Sequence, residues 1–305
     1  MGHLKEHGYT FIKGVAMGAA NVIPGVSGGT IAFITGIYER LINAVKSFDL
    51  DTIKLLFVGD WKVFTLKTDL YFLIAIFLGI GVSIISLAKG LELAFTHYES
   101  LTLAFFFGLI IASIIGVGRQ IEGINLANVI SLIVGTGIAV LIAFLPPAQA
   151  NDSFIYLTVC GMVAISSMIL PGLSGSYVLL LMGNYILVMQ AISSLNVGVL
   201  APVAIGCILG LVLFSRLLSY LFKNFKSQTV SILTGFVAGS LVIIWPWKVT
   251  NYITLANGKE KATGYEWIVP ELNSEFIIAI GLAITGFLMV WGMEKMAAPI
   301  QHSVI

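Results

Sequence analysis

A chain of 305 residues that is 58% hydrophobic and 10% charged, with a mean hydropathy of +1.01, is too apolar for a soluble domain, whose shares run at about 45–50% and about 25%. It reads as an integral membrane protein, and a net charge of +1 offers no electrostatic footprint for nucleic acid. Cys160 and Cys207 both lie in apolar runs, where a thiol serves as a small hydrophobe, so no disulfide, metal site or cofactor is expected.

Residues 1–13 carry Lys5, Glu6, Lys13 and two histidines, and no small-residue cleavage site follows, so a cleaved signal peptide is not expected. Phe11 to Ile23 supplies 13 residues before Pro24-Gly25, about 20 Å of helix against a hydrocarbon core of about 30 Å. That arm is predicted to be too short to cross alone. After the glycines at 28–29 a helical pattern resumes over 30–45 and becomes charged at Glu39-Arg40, which predicts a re-entrant hairpin over 11–45 with its tip inside the membrane. Residues 46–69 mix Phe48, Phe57 and Trp61 with Lys46, Lys54, Lys62 and Lys67, a composition suited to the membrane surface. Spanning helices are predicted at about 70–95, 101–118 and 125–146, and Pro146-Pro147 closes the first half. The second half repeats the plan, with a hairpin at 153–193 around Pro171-Gly172 and spans at about 199–222, 228–247 and 274–293. Trp245, Trp247 and Trp267 flank a polar outer loop as interfacial aromatics do.

The two tips are copies. Pro24-Gly25-Val26-Ser27-Gly28-Gly29-Thr30 recurs as Pro171-Gly172-Leu173-Ser174-Gly175-Ser176-Tyr177, an offset of 147 residues (171 − 24) shared by Gly14 with Gly161, Gly36 with Gly183 and Tyr38 with Tyr185. A second offset of 127 (206 − 79) relates Gly79 to Gly206, Lys89 to Arg216, Phe95 to Phe222 and Gly108 to Gly235, and the surface segment accounts for the 20-residue difference. Three crossings plus a returning hairpin make an odd number per half, so the halves must be inverted relative to each other. The expected fold is an all-α polytopic membrane protein of two inverted-topology repeats, residues 1–147 and 148–305, each a broken-helix hairpin plus three transmembrane helices. Twelve lysines and arginines on one side against four on the other place both termini in the cytoplasm.

Inverted repeats with helices broken near the midplane are an architecture of secondary transporters, in which half-helix N-termini face an anionic substrate. At Ser27, Gly28, Gly29 and Thr30, and at Ser174, Gly175 and Ser176, glycine lets backbone N–H groups approach a ligand and the hydroxyls add donors, so an oxyanion such as phosphate is the expected guest. Close helix packing is the competing use of such residues. The motif is not a P-loop, because no lysine follows the glycines. Lys89 and Arg216 are candidate intramembrane cations, with snorkelling to the boundary as the alternative and Glu92 available to Lys89 at i+3. Arg119 is a candidate headgroup contact, and Glu39 with Arg40 suits either substrate contact or a boundary role.

Residues 14–32 (Gly-Val-Ala-Met-Gly-Ala-Ala-Asn-Val-Ile-Pro-Gly-Val-Ser-Gly-Gly-Thr-Ile-Ala) with 36–41 (Gly-Ile-Tyr-Glu-Arg-Leu), and 170–179 (Leu-Pro-Gly-Leu-Ser-Gly-Ser-Tyr-Val-Leu) with 183–185 (Gly-Asn-Tyr), resemble the bacterial polyprenyl-phosphate transporters of the PopT family. The resemblance covers nearly the whole chain. It implies a transporter, not an enzyme, that returns undecaprenyl phosphate across the bacterial cytoplasmic membrane for reuse as the lipid carrier of cell-wall precursors. Ile186-Leu187 replaces Glu39-Arg40 in the second copy, so any role for an acidic residue there rests on Glu39. Two other readings are a phosphatase acting on undecaprenyl pyrophosphate and a carrier for a small soluble anion. Such phosphatases resemble Pro-Gly-x-Ser-Arg, whereas glycine follows both Ser27 and Ser174.

Overall fold

In the computed structural model of the chain, residues 2–22, 27–123, 125–254 and 260–297 are described. Helix α1 runs from Gly2 to Val22, 21 residues, and is longer than the arm predicted from Phe11. Nothing in residues 2–10 breaks a helix, so the backbone continues through residues whose charge removes them from a hydropathy count. After the tip come α2 (Gly28–Ile34) and α3 (Tyr38–Lys46), joined through Gly36 at φ 70°, a left-handed conformation that glycine adopts without penalty. The surface segment forms two short helices, α4 (Leu50–Val58) and α5 (Trp61–Lys67). Each is capped by an aspartate: Asp49 accepts from Thr52 N–H at 2.7 Å and Asp60 from Val63 N–H at 3.2 Å. Hydrogen bonding from Thr52, aided by Lys67, holds the Asp49 carboxyl down at about 2. Phe57 is 88% exposed and Trp61 60%, leaving an apolar face free for the bilayer interface.

The remaining helices are α6 (Leu70–His97), α7 (Glu99–Gly118), α8 (Leu126–Phe144), α9 (Phe154–Ile169), α10 (Gly175–Leu181), α11 (Tyr185–Ser194), α12 (Val197–Asn224), α13 (Lys226–Ser240) and α14 (Ser274–Ala297). Five of them, α6, α7, α8, α12 and α14, are long and apolar enough to cross a membrane, and the pair α10–α11, bent by 111°, makes a sixth if counted as one span. The protein is a helical, multi-pass membrane protein. Helix α13 stops at Ser240, short of the predicted 247, and the chain turns through Ile244 ahead of Pro246, which disfavours helix in the residue before it. The loop flanked by Trp245, Trp247 and Trp267 is a β-ribbon. Strand β1 (Lys248–Thr254) pairs antiparallel with β2 (Glu260–Trp267), from Lys248↔Trp267 to Thr254↔Glu260. Val249, Thr250, Ile253 and Thr254 suit the pleat because they are β-branched.

Helices pair where glycine lets one backbone meet the next, the packing that small residues permit in a membrane. Gly14 faces the Ile76 carbonyl and Gly79 the Phe11 carbonyl, locking α1 to α6; Gly161 faces Val203 and Gly206 faces Thr158, locking α9 to α12. Gly108 and Gly286 join α7 to α14 at the Ala283 and Phe105 carbonyls, and Gly235 and Gly135 join α8 to α13 at those of Leu132 and Ile232. Six of the eight partner carbonyls obey the sequence offsets as well: 76 and 203 differ by 127, as do 105 and 232, while 11 and 158 differ by 147. The similarity of the halves therefore extends from residue identity to contact geometry. At every one of these eight glycines an added Cβ would run into a backbone carbonyl, which helps to explain why glycine recurs at 14 and 161, at 79 and 206, and at 108 and 235.

This packing makes a sharp comparison on α8. Gly135→Ala should destabilise the protein by about 1–3 kcal/mol, the usual cost of overpacking, read as a lower midpoint of heat-induced aggregation in detergent. Gly137→Ala, two residues away with open space around it, should be neutral or raise the midpoint, because alanine is the better helix former.

Candidate functional site at the two hairpin tips

Residues 23–26, which include Pro24 and Gly25 of the first tip, lie outside the described residues. From Ser27 onward the tip is closed by its own hydrogen bonds. Ser27 is extended, and its Oγ accepts from Gly29 N–H at 3.1 Å while its carbonyl accepts from Thr30 N–H at 2.9 Å. Gly28 N–H donates to Asn21 Oδ1 at 2.7 Å. Ser27 and Thr30 are both buried, so the first tip keeps its donors inside the protein.

Those buried groups also reach the second tip. Gly172 N–H donates to Thr30 Oγ1 at 2.9 Å, and Ser27 O–H donates to the Met168 carbonyl at 3.3 Å. Tyr38 O–H donates to the Ile169 carbonyl at 3.1 Å. The last carbonyls of α9 and the amide of the Pro-Gly turn are thus satisfied by the first hairpin, as unpaired backbone groups at membrane depth require. Gly172 itself sits at φ 81° with Phe236 and Val237 of α13 pressed against it, leaving no room for a side chain.

The second tip is more open. Ser174 occupies the N-cap of α10 but makes no side-chain cap bond; its Oγ lies 3.0 Å from Ser176 Oγ instead. Ser174 is half-buried, Gly175 buried and Ser176 exposed. Tyr177, the counterpart of Thr30, sends its hydroxyl to the Ala143 carbonyl at 3.3 Å. Two adjacent serine hydroxyls can both donate to one oxyanion by rotating their O–H bonds.

The charged candidates do not gather at the tips. Arg119 is exposed at the C-cap of α7, Arg216 is exposed on α12, and Glu39 is exposed in the first turn of α3. Lys89 falls in α6, with its side chain outside the described residues. Glu39 lines a recess of about 480 Å³ with Arg40, Asn43, Lys67 and Asp69. Arg40 is engaged there: it pairs with Asp69 at 2.5 Å and with Glu6 at 2.9 Å, and its guanidinium lies 4.3 Å from the centroid of the Phe72 ring. Those partners occupy three of its five N–H donors. Among the described residues, no group of three or more His, Cys, Asp or Glu is placed to hold a metal.

Two contributors escaped the sequence reading. Lys13 donates to the Thr35 carbonyl at 2.8 Å, placing a cation at the C-terminal end of α2, where the helix dipole favours it; its signal was being the one charge between Phe11 and Ile23. Asn21 had its own signal, a lone amide in an apolar arm. On the opposite side Lys248 bonds to the Ile243 carbonyl, and burial pulls its pKa down to about 8 against the pull of Glu99.

The tips can be set beside known proteins. The undecaprenyl phosphate translocase-like family matches residues 17–261. A polyprenyl-phosphate transporter of Vibrio cholerae serotype O1 is 37% identical over 303 residues, covering 94% of this chain and 96% of its own. A polyprenyl-phosphate transporter of Staphylococcus aureus is 30% identical over 271 residues, covering 79% of this chain and 87% of its own. No solved structure matches. With shared sequence running through both tips and nearly the whole chain, the protein belongs to the undecaprenyl phosphate translocase-like family.

Proposed function

We propose that this protein is a flippase that moves undecaprenyl phosphate across the bacterial cytoplasmic membrane, holding the phosphate between the two hairpin tips while the isoprenoid tail stays in lipid. The observation that carries this reading is the meeting of the tips. The bond from Gly172 N–H to Thr30 Oγ1 brings the duplicated motifs to one place, beside the paired hydroxyls of Ser174 and Ser176. The names of the two relatives supply the lipid class.

In this reading Ser174, Ser176 and the Gly175 amide are the first donors to the phosphate. Ser27, Gly28, Gly29 and Thr30 hold the first tip shut and become donors when it opens. Lys89, Arg119 and Arg216 draw the anionic headgroup to the membrane boundary, with Glu39 beside the engaged Arg40. The two halves, 1–147 and 148–305, form an inverted repeat with both termini in the cytoplasm, and rocking of one half against the other exposes the site to each leaflet in turn. The exchange of glycine contacts between α7–α14 and α8–α13 supports that symmetry. No bond in the lipid is made or broken, so the protein acts as a carrier and not as an enzyme.

Three outcomes test the proposal. Ser174→Ala with Ser176→Ala should slow flux of labelled undecaprenyl phosphate in proteoliposomes by about tenfold or more, since a hydrogen bond to a charged group contributes about 1.5–3 kcal/mol; unchanged flux would remove the hydroxyls from the site. Thr30→Val keeps the side-chain volume but strands the buried Gly172 amide, and should cost about 1–3 kcal/mol of stability together with a loss of flux. An excess of inorganic phosphate should leave lipid flux unaffected; competition at equal concentration would favour a carrier for a small soluble anion.

A further inference from the structure

The halves are alike in sequence, yet their arms are not packed alike. Helix α3 keeps contacts with α2 and α6 of its own half but packs mainly across on α12. Lys46 Nζ donates to Ser219 Oγ at 2.9 Å, and Ser219 O–H donates to Asn43 Oδ1 at 3.0 Å. The rings of Tyr38 and Phe222 lie 5.9 Å apart, and Tyr38 and Ile42, each 2% exposed, belong to the main core. Helix α11 is the counterpart of α3 at the 147-residue offset, and α6 is the counterpart of α12 at the 127-residue offset. Strict equivalence would lay α11 on α6. Instead α11 rests on α12 of its own half, where Val188 and Ala191 form a small separate core with Leu157 and Val199.

The tips differ less. Helix α2 packs mainly on α1 of its own half, as α10 packs on α9, but α2 also reaches across to α9, with Ser27 and Thr30 buried, while Ser176 on α10 is exposed. One arm is therefore engaged across the centre of the molecule and its copy is not. Two packings related by exchanging the roles of halves with the same architecture can lie close in free energy, which is the condition for a two-state element.

We infer that α3 is a gate, latched to α12 by Asn43, Lys46 and Ser219, and that it opens in each transport cycle while α11 swings onto α6 to close the opposite side. The inference rests on the transport reading above. The counterpart of Phe222 is Phe95 and that of Tyr38 is Tyr185, so a Tyr185–Phe95 contact defines the closed opposite gate. A fixed asymmetry is the competing account, because only the first half carries the surface segment whose Asp69 holds Arg40 of α3.

Two measurements separate them. In a chain with Cys160→Ala and Cys207→Ala, Asn43→Cys and Ser219→Cys are joined by oxidation in proteoliposomes. Flux of labelled undecaprenyl phosphate should fall by about tenfold or more and return on reduction; cross-linked protein that carries lipid at the reduced rate would overturn the gate. The second measurement needs no transport. Ala44 is 4% exposed on the buried face of α3, and in the same background maleimide should label Ala44→Cys slowly. Adding Lys46→Ala and Ser219→Ala should raise that rate about tenfold, the effect of losing a hydrogen bond to a charged group. An unchanged labelling rate would also count against the gate. If labelling responds but reduced protein moves no lipid, the gate stands and the lipid-transport reading fails.

Discussion

A helix broken inside a bilayer exposes backbone N–H and C=O groups that no water can satisfy, and the rest of this structure depends on how those groups are paired. The first hairpin closes itself and completes the second. The first hairpin supplies Ser27, Thr30 and Tyr38 to the end of α9 and the turn at Gly172, while Asn21 and Ser27 close the first tip locally. The second hairpin is not complete without the first. In the proposed reading, binding and folding are coupled at one place, because a ligand that takes donors from the tips competes with the bonds that hold the tips together.

That competition needs rigid surroundings, and the glycine-locked pairs provide them. Backbone-to-backbone approach along α1–α6, α9–α12, α7–α14 and α8–α13 leaves little freedom for sliding. The short segments α2–α3 and α10–α11 each bend at a glycine, at φ 70° and 75°. In the proposed cycle, a frame of locked pairs with short bent arms is suited to exposing a central site to one side at a time.

Charge plays a peripheral part. Arg40, Glu6 and Asp69 form an exposed network at one boundary, where each pair contributes little to stability because solvent screens it. In the proposed reading, selection for an anion falls on neutral hydroxyls and amides at the tips, which would bind without the cost of an unpaired charge inside the membrane.

Much of this was legible in sequence. Hydropathy located α6, α7, α8, α12 and α14 because spanning a bilayer imposes a length and an apolar composition that few other constraints mimic. The copied tips were visible because Pro, Gly and Ser are demanded by backbone geometry, which tolerates few substitutes. The sequence was less informative about α1, whose charged first turns hide a helix from hydropathy, and about the β-ribbon, where pairing depends on two short segments meeting. It was silent on the bond between Gly172 and Thr30, since 142 residues separate them. A duplicated sequence by itself determines that two equivalent halves exist. Only tertiary packing decides that α3 crosses to the other half and α11 does not, because that choice lies between contacts the two copies could make equally well.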